Sequence, residues 1–158
     1  NGQSKYTIES ADQLLGSFRS KDQNKLVLPD NLRFPIEIDS YISWKEGSGV
    51  YTYLVVKFPH WDQAKGIAFK RTKISGDPVG GQCSWCNAFG SSEEIGLMSV
   101  VISSKESRSY YLCNDLSCLK KIETLTALAG RDSEKYFLEL FLKIEKLFEN
   151  TRMGNQEI

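Results

Sequence analysis

The run Val50-Tyr51-Thr52-Tyr53-Leu54-Val55-Val56 is apolar at alternate positions of either parity. A strand built from it can leave neither face in water, so it reads as a central strand covered on both sides. Tyr41 to Trp44 and Gly66 to Arg71 flank it as two more strands, with Glu46-Gly47-Ser48-Gly49 and Pro59-His60-Trp61-Asp62 as turns. Ahead of this sheet, Leu14, Leu15 and Phe18 follow Ser10, which predicts a short helix over Glu9 to Phe18. Residues 20–35 are polar and broken by Pro29 and Pro35, the pattern of a connection wrapping over the sheet that follows.

Farther along, Gly96 to Ser103 and Ser107 to Leu112 predict a hairpin turning at Ser104-Lys105-Glu106. Leu116, Leu119, Ile122, Leu125 and Leu128 then recur at helical spacing as far as Gly130, a stop signal. Asp132-Ser133 opens a second helix with Phe137, Leu140, Phe141, Ile144 and Phe148 on one face. Its other face is charged through Glu134, Lys135, Glu139, Lys143, Glu145, Lys146 and Glu149. Thr151 to Ile158 has no pattern and is expected to fray. These elements fit one domain over residues 1–158: a helix and β-sheet lobe at 1–75, a second lobe at 76–130 and a C-terminal helix at 131–150.

The chain's four cysteines fall inside the second lobe, as Cys83-x2-Cys86, twenty-six intervening residues, and Cys113-x4-Cys118. Two close pairs joined by such a spacer have the pattern of one tetrahedral four-cysteine zinc site. The spacer accommodates the hairpin, and Asn114-Asp115 offers a helix N-cap, so the second pair would straddle a helix start. Knuckle, hairpin and helix together are the treble-clef arrangement. Four thiolates around a divalent cation keep a net charge of about −2, and a helix N-terminus with Lys120 and Lys121 just beyond would stabilise it. Two disulfides, or a redox motif in Cys83-Ser84-Trp85-Cys86, are the competing readings. A redox motif would open a helix directly after a strand, whereas Asp77-Pro78-Val79-Gly80-Gly81 comes before this one.

Composition excludes more than it identifies. The twenty basic and twenty acidic side chains cancel, so no global field draws the chain to nucleic acid or an anionic membrane. No run of eighteen apolar residues offers a membrane span. Metal-type cysteine spacing and the absence of a glycosylation sequon point to the cytoplasm. The lone histidine, His60, lies in a turn without a sequence partner for acid–base work, and Glu93-Glu94 reads as a solvated acidic pair. A closed four-cysteine set leaves no open coordination position, so the zinc is read as structural and the chain as non-enzymatic.

Recognition chemistry is what remains. Trp85 lies inside the knuckle and Phe89 just after it, where large aromatics either seal a zinc loop or anchor a partner. Residues 57–121 are the basic part of the chain, with nine basic against six acidic side chains, and Arg71, Lys73, Lys105, Arg108, Lys120 and Lys121 among them form a binding rim or an ordinary solvated surface.

The segment Cys83-Ser84-Trp85-Cys86 with Tyr110-Tyr111-Leu112-Cys113-Asn114-Asp115-Leu116-Ser117-Cys118 resembles the C-terminal treble-clef domain of the elongation-factor-G-binding family, which includes the fusidic-acid-resistance proteins. Ile42-Ser43-Trp44, Tyr51 to Val56 and Gly66-Ile67 are similar to the sheet of that family, so the resemblance covers about residues 36–130. It implies a cytoplasmic protein that grips the translocase on the ribosome and, in resistance members, promotes its release from the drug-stalled state. The four cysteines carry over as ligands. The resistance proteins also have an N-terminal helical domain without a counterpart in this sequence, so factor binding is the firmer implication. The expectation is therefore an α+β fold, a small antiparallel β-sheet fused to a four-cysteine treble-clef zinc finger with C-terminal helices. It would act as a monomeric binding module for elongation factor G or a related translation factor, the alternative being a zinc-stabilised RNA- or ribosome-binding domain.

Overall fold

The computed structural model describes residues 6–24, 26–30, 32–72, 81–91, 94–103 and 105–156. The chain divides into two compact units, Asn1–Phe69 and Lys70–Ile158. In the first, β1 (Tyr6–Ile8) leads to α1 (Ala11–Gly16) and α2 (Ser20–Gln23), followed by β2 (Ile36–Ile38), β3 (Tyr41–Lys45), β4 (Tyr51–Val56) and β5 (Lys65–Thr72). Strands β1 and β2 form an antiparallel ribbon with Tyr6 opposite Ile38 and Ile8 opposite Ile36. Antiparallel β3 and β4 run from Tyr41 opposite Val56 to Lys45 opposite Thr52, in the order β3-β4-β5.

Ser10 caps α1 as the sequence indicates, its hydroxyl accepting from Gln13 N at 3.2 Å. Thr52 to Val56 of β4 are all buried, as a strand apolar on both faces requires. Residues 20–35 contain an element that periodicity did not show, the single turn α2. It is held by Asp22, buried at 1% exposure, which accepts from Arg19 Nε at 3.0 Å. The rest of that connection does wrap the sheet: Leu26, Leu28, Leu32 and Phe34 pack on the core, and Trp44 Nε1 donates to Val27 O at 3.2 Å.

An aromatic cluster forms the centre of this unit. The Trp44 and Tyr53 rings lie 5.3 Å apart, and Phe18 stands edge-on to both at 6.1 Å. Phe18 can sit there because Gly66 has no side chain: a Cβ at that position would lie 2.7 Å from the Phe18 ring. The same approach lets Gly66 N donate to Ser17 O at 2.8 Å.

In the second unit the end of β5 pairs with β8 (Ile95–Ser103), Arg71 opposite Met98, and β8 pairs in turn with β9 (Glu106–Cys113). Two-residue strands β6 (Gly81–Gln82) and β7 (Phe89–Gly90) form a separate ribbon. Helices α3 (Cys118–Leu128) and α4 (Glu134–Gln156) complete the chain, and α4 packs on β8. Leu140, Ile144, Leu147 and Phe148 of α4 are buried, as are Met98, Val100 and Ile102 of β8.

Two expectations are corrected here. Helix α4 does not end near residue 150 but continues to Gln156, and Thr151 is buried with its hydroxyl donating to Phe148 O at 2.8 Å. Helix α3 does not bury the 116/119/122/125/128 stripe. Leu116 lies outside it at φ 57°, and Leu125 and Leu128 are 50% and 80% exposed. The buried positions are Cys118, Ile122 and Thr126, one turn apart, so the face is set by the cysteine at its start. Ser117, without a side-chain cap bond, precedes α3 in place of Asn114-Asp115. Gly130 at φ 67° ends the helix in a Schellman turn, with Gly130 N bonded to Ala127 O and Arg131 N to Thr126 O.

Two variants test the first unit. Gly66→Ala should cost about 1–3 kcal/mol by forcing the Phe18 ring aside, read as a lowered urea midpoint at unchanged slope. Unchanged stability would mean that the ring moves freely. Tyr53 is fully buried and its hydroxyl donates to Glu46 Oε2 at 3.0 Å. Burial first, then Glu46, raises its pKa far above the phenol range. The neutral phenol is thus favoured by folding, and its stabilisation is complete below the unfolded pKa of about 10 and lost as pH climbs above it. The stability gap between wild type and Tyr53→Phe should hold up to pH ~9 and shrink as pH rises past ~10. A gap constant with pH would refute this.

Candidate metal centre

The first cysteine pair sits on the turn between β6 and β7. Gly81 pairs with Gly90 and Gln82 with Phe89, and the turn is closed by Cys83 N to Ala88 O and Asn87 N to Cys83 O, both 2.9 Å. Asn87 takes the left-handed conformation at φ 65°, which asparagine tolerates better than most residues. Gln82 Nε2 braces the same turn by donating to Asn87 O at 3.0 Å. The second pair brackets a short link: Cys113 ends β9 and Cys118 begins α3. Between them Asn114 N donates to Glu94 O at 2.8 Å and Asp115 Oδ1 accepts from Ser117 N at 3.1 Å. Gly96 leaves room for this link, since a Cβ there would stand 2.6 Å from Asn114 Oδ1.

These elements bring all four sulfurs within 4.8 Å of one another. Cys83 and Cys118 are 3.6 Å apart, as are Cys86 and Cys113. Sulfurs about 2.3 Å from a shared tetrahedral ion lie about 3.8 Å apart, whereas a disulfide requires about 2.0 Å. The observed spacing fits the ion and excludes the bond. Cys83, Cys113 and Cys118 are fully buried and Cys86 is partly so. The donor set is closed, soft and suited to one zinc ion.

Charge explains why a cation belongs there. Hydrogen bonds from Cys113 first, then Cys118 and Cys86, hold the Cys83 thiol far below its usual range. The same crowding, with Cys113 first, pushes Cys118 far above it. Four thiolates therefore coexist only around a metal ion. The N-terminus of α3 begins at Cys118, and Lys121 Nζ donates to Cys113 Sγ at 3.2 Å. Burial opposes the charge on Lys121, but Cys113, Cys86 and Asp115 outweigh it and raise its pKa. Trp85 N adds a donor to Cys83 Sγ at 3.4 Å.

A family model, FBP C-terminal treble-clef zinc-finger, matches residues 14–154, nearly the whole chain. The chain belongs to this family. It is the domain of the fusidic acid resistance protein family, and the knuckle, hairpin and helix around the four cysteines are the structural form of that membership. No curated protein and no solved structure matches the chain.

The recognition residues expected from sequence are distributed unevenly. Trp85 is only 5% exposed and forms part of a wall, whereas Phe89 on β7 is 80% exposed. Lys120 is exposed in the first turn of α3, and Lys121 is engaged with Cys113. Arg71 lies on β5 opposite Met98. Exposed Arg108 pairs with Glu106 at 3.1 Å, and Lys105 stands at the hairpin turn, eight residues or about 27 Å along the strand from Cys113. These cations do not converge on one rim around the metal. Lys73 lies outside the described residues, as does Glu93, while Glu94 is engaged locally, accepting from Ser91 N at 2.9 Å. Among the described residues no helix is long and apolar enough to cross a membrane.

Sequence reading missed Lys143, which it placed on a solvated face. Its Nζ donates to Ser84 O at 2.8 Å, tying α4 to the knuckle, while Ser84 N donates to Tyr111 O at 2.8 Å and ties the knuckle to β9. The position of Lys143 beside the buried Leu140, Ile144 and Leu147 was the available signal.

Purified protein should contain about one zinc per chain by elemental analysis. Structural zinc contributes on the order of 10 kcal/mol to local order, so strong chelation or Cys113→Ser should strip hydrogen-exchange protection first from residues 83–130. Strands β3 and β4, with their own core, should hold protection longer. Simultaneous loss in both regions would show that the two units unfold as one.

Proposed function

We propose that this chain is a non-enzymatic, zinc-stabilised binding module for elongation factor G or a related translation factor. Phe89 carries the reading. A large aromatic side chain, 80% exposed, is held on a two-residue strand directly after the knuckle, where it can serve a protein partner as an interface anchor. Family membership supports the choice of partner, and the closed cysteine set supports a structural rather than catalytic metal. The module works in the cytoplasm as a monomer, and its grip on the factor modulates release from the ribosome. A zinc-stabilised RNA binder is the competing function, and salt separates the two. Contacts to phosphates fail steeply with added salt, whereas a partly apolar protein interface weakens gently.

Titration with purified elongation factor G should show binding, and Phe89→Ala should cost about 1–3 kcal/mol of affinity at unchanged zinc content. A single-stranded RNA at two salt concentrations is the control ligand. No binding to the factor, with RNA binding that collapses at high salt, would replace this reading with the competing one.

A further inference from the structure

The second unit contains a cleft of about 320 Å³ beside the zinc knuckle, and its lining is one-sided in charge. Ser84 and Trp85 of the knuckle form one wall, and Arg108 and Tyr110 of β9 form another. The third wall is α4, which contributes Lys143, Lys146 and Asn150 around Leu147, itself buried at 3% exposure. These helix positions recur at i, i+3, i+4 and i+7, so one stripe of α4 faces the cleft. Arg108 and Tyr110 share a face of β9 with the buried Leu112, and opposite them on β8 lie buried Val100 and Met98, the strand on which α4 packs.

Among the described residues, three cations line this space and no carboxylate does. Tyr110 and Asn150 add a hydroxyl and an amide that can donate. Lys143 gives one N–H to Ser84 O and keeps two others, and Arg108 is held by Glu106 in a pair whose side chains are 45% and 51% exposed. An exposed pair of that kind is weak and exchanges readily for a better-placed anion.

We infer that this cleft receives an acidic stretch of a protein partner, one Glu or Asp carboxylate seating between Arg108 and Lys146. The inference rests on the reading of the chain as a protein-binding module and names one of its contact sites. Two features favour a side-chain carboxylate over a phosphate. Helix α4 passes the cleft with its flank, because 143–150 lie inside Glu134–Gln156, so no helix N-terminus offers the amides that phosphate sites use. The cations converge on one cleft, whereas a nucleic-acid backbone is followed by a groove that tracks successive phosphates.

The experiment combines Lys146→Glu and Arg108→Glu with three probes, hexaglutamate, inorganic phosphate and a single-stranded RNA oligonucleotide, and with elongation factor G. Zinc content and circular dichroism confirm folding. Lys146 is on the exposed side of α4, so its variant serves even if Arg108→Glu fails to fold. Hexaglutamate should shift the amide resonances of Ser84, Tyr110 and Asn150, and Lys146→Glu should weaken both hexaglutamate and factor binding by about tenfold or more. A factor that binds wild type and Lys146→Glu equally overturns the cleft assignment and leaves the proposed function standing. Hexaglutamate shifts at the cleft without any factor binding support the cleft and remove the proposed partner. Resonances that respond to phosphate or RNA but not to hexaglutamate overturn the acidic-peptide assignment.

Discussion

Mutual repulsion among four thiolates is the constraint on which the second unit depends. Within 4.8 Å of one another they can all ionise only around a cation, so the metal and the local fold require each other. Each cysteine lies at a junction: Cys83 and Cys86 bracket the knuckle, Cys113 ends β9 and Cys118 starts α3. Closing the cluster therefore fixes the end of a sheet, the start of a helix and a turn simultaneously. The residual negative charge is met by Lys121, the α3 N-terminus and the Trp85 amide. Helix α3 consequently buries the Cys118–Ile122–Thr126 face.

That rotation marks the limit of what the sequence discloses. Cysteine spacing was legible because zinc geometry is encoded within each close pair, and β4 was legible because both of its faces are apolar. Gly130 was legible because only its backbone freedom suits the turn after α3. The burial face of α3 was not, because Leu125 and Leu128 complete a convincing stripe on paper while a covalent-scale restraint at Cys118 orients the helix otherwise. Strands β6 and β7 have two residues each, too few for any period to show. Helix α4 runs into a polar tail that periodicity alone reads as its end.

The aromatic residues of the knuckle show the same division. Trp85 and Phe89 are equivalent in composition, yet the knuckle turn buries the first and exposes the second. Spacing alone could not distinguish a seal from an anchor, since that depends on whether α4 and β9 close over one side of the turn. They do so at Trp85, with Lys143 on Ser84 O and Ser84 N on Tyr111 O as the ties.

Those ties make the cleft conditional on the metal. The cleft walls come from the knuckle, β9 and α4, and the first two are held by cysteine ligands. Lys121 is engaged by the cluster's own charge, while Arg108, Lys143 and Lys146 stand around the cleft with no ligand sulfur among their bonds. Lys121 thus stabilises the metal centre, while a separate set of cations faces outward. If zinc leaves, Ser84 and Trp85 lose the turn that positions them, and the outward set becomes ordinary solvated lysine and arginine. The closed four-cysteine metal site would in this way decide whether the cleft exists at all.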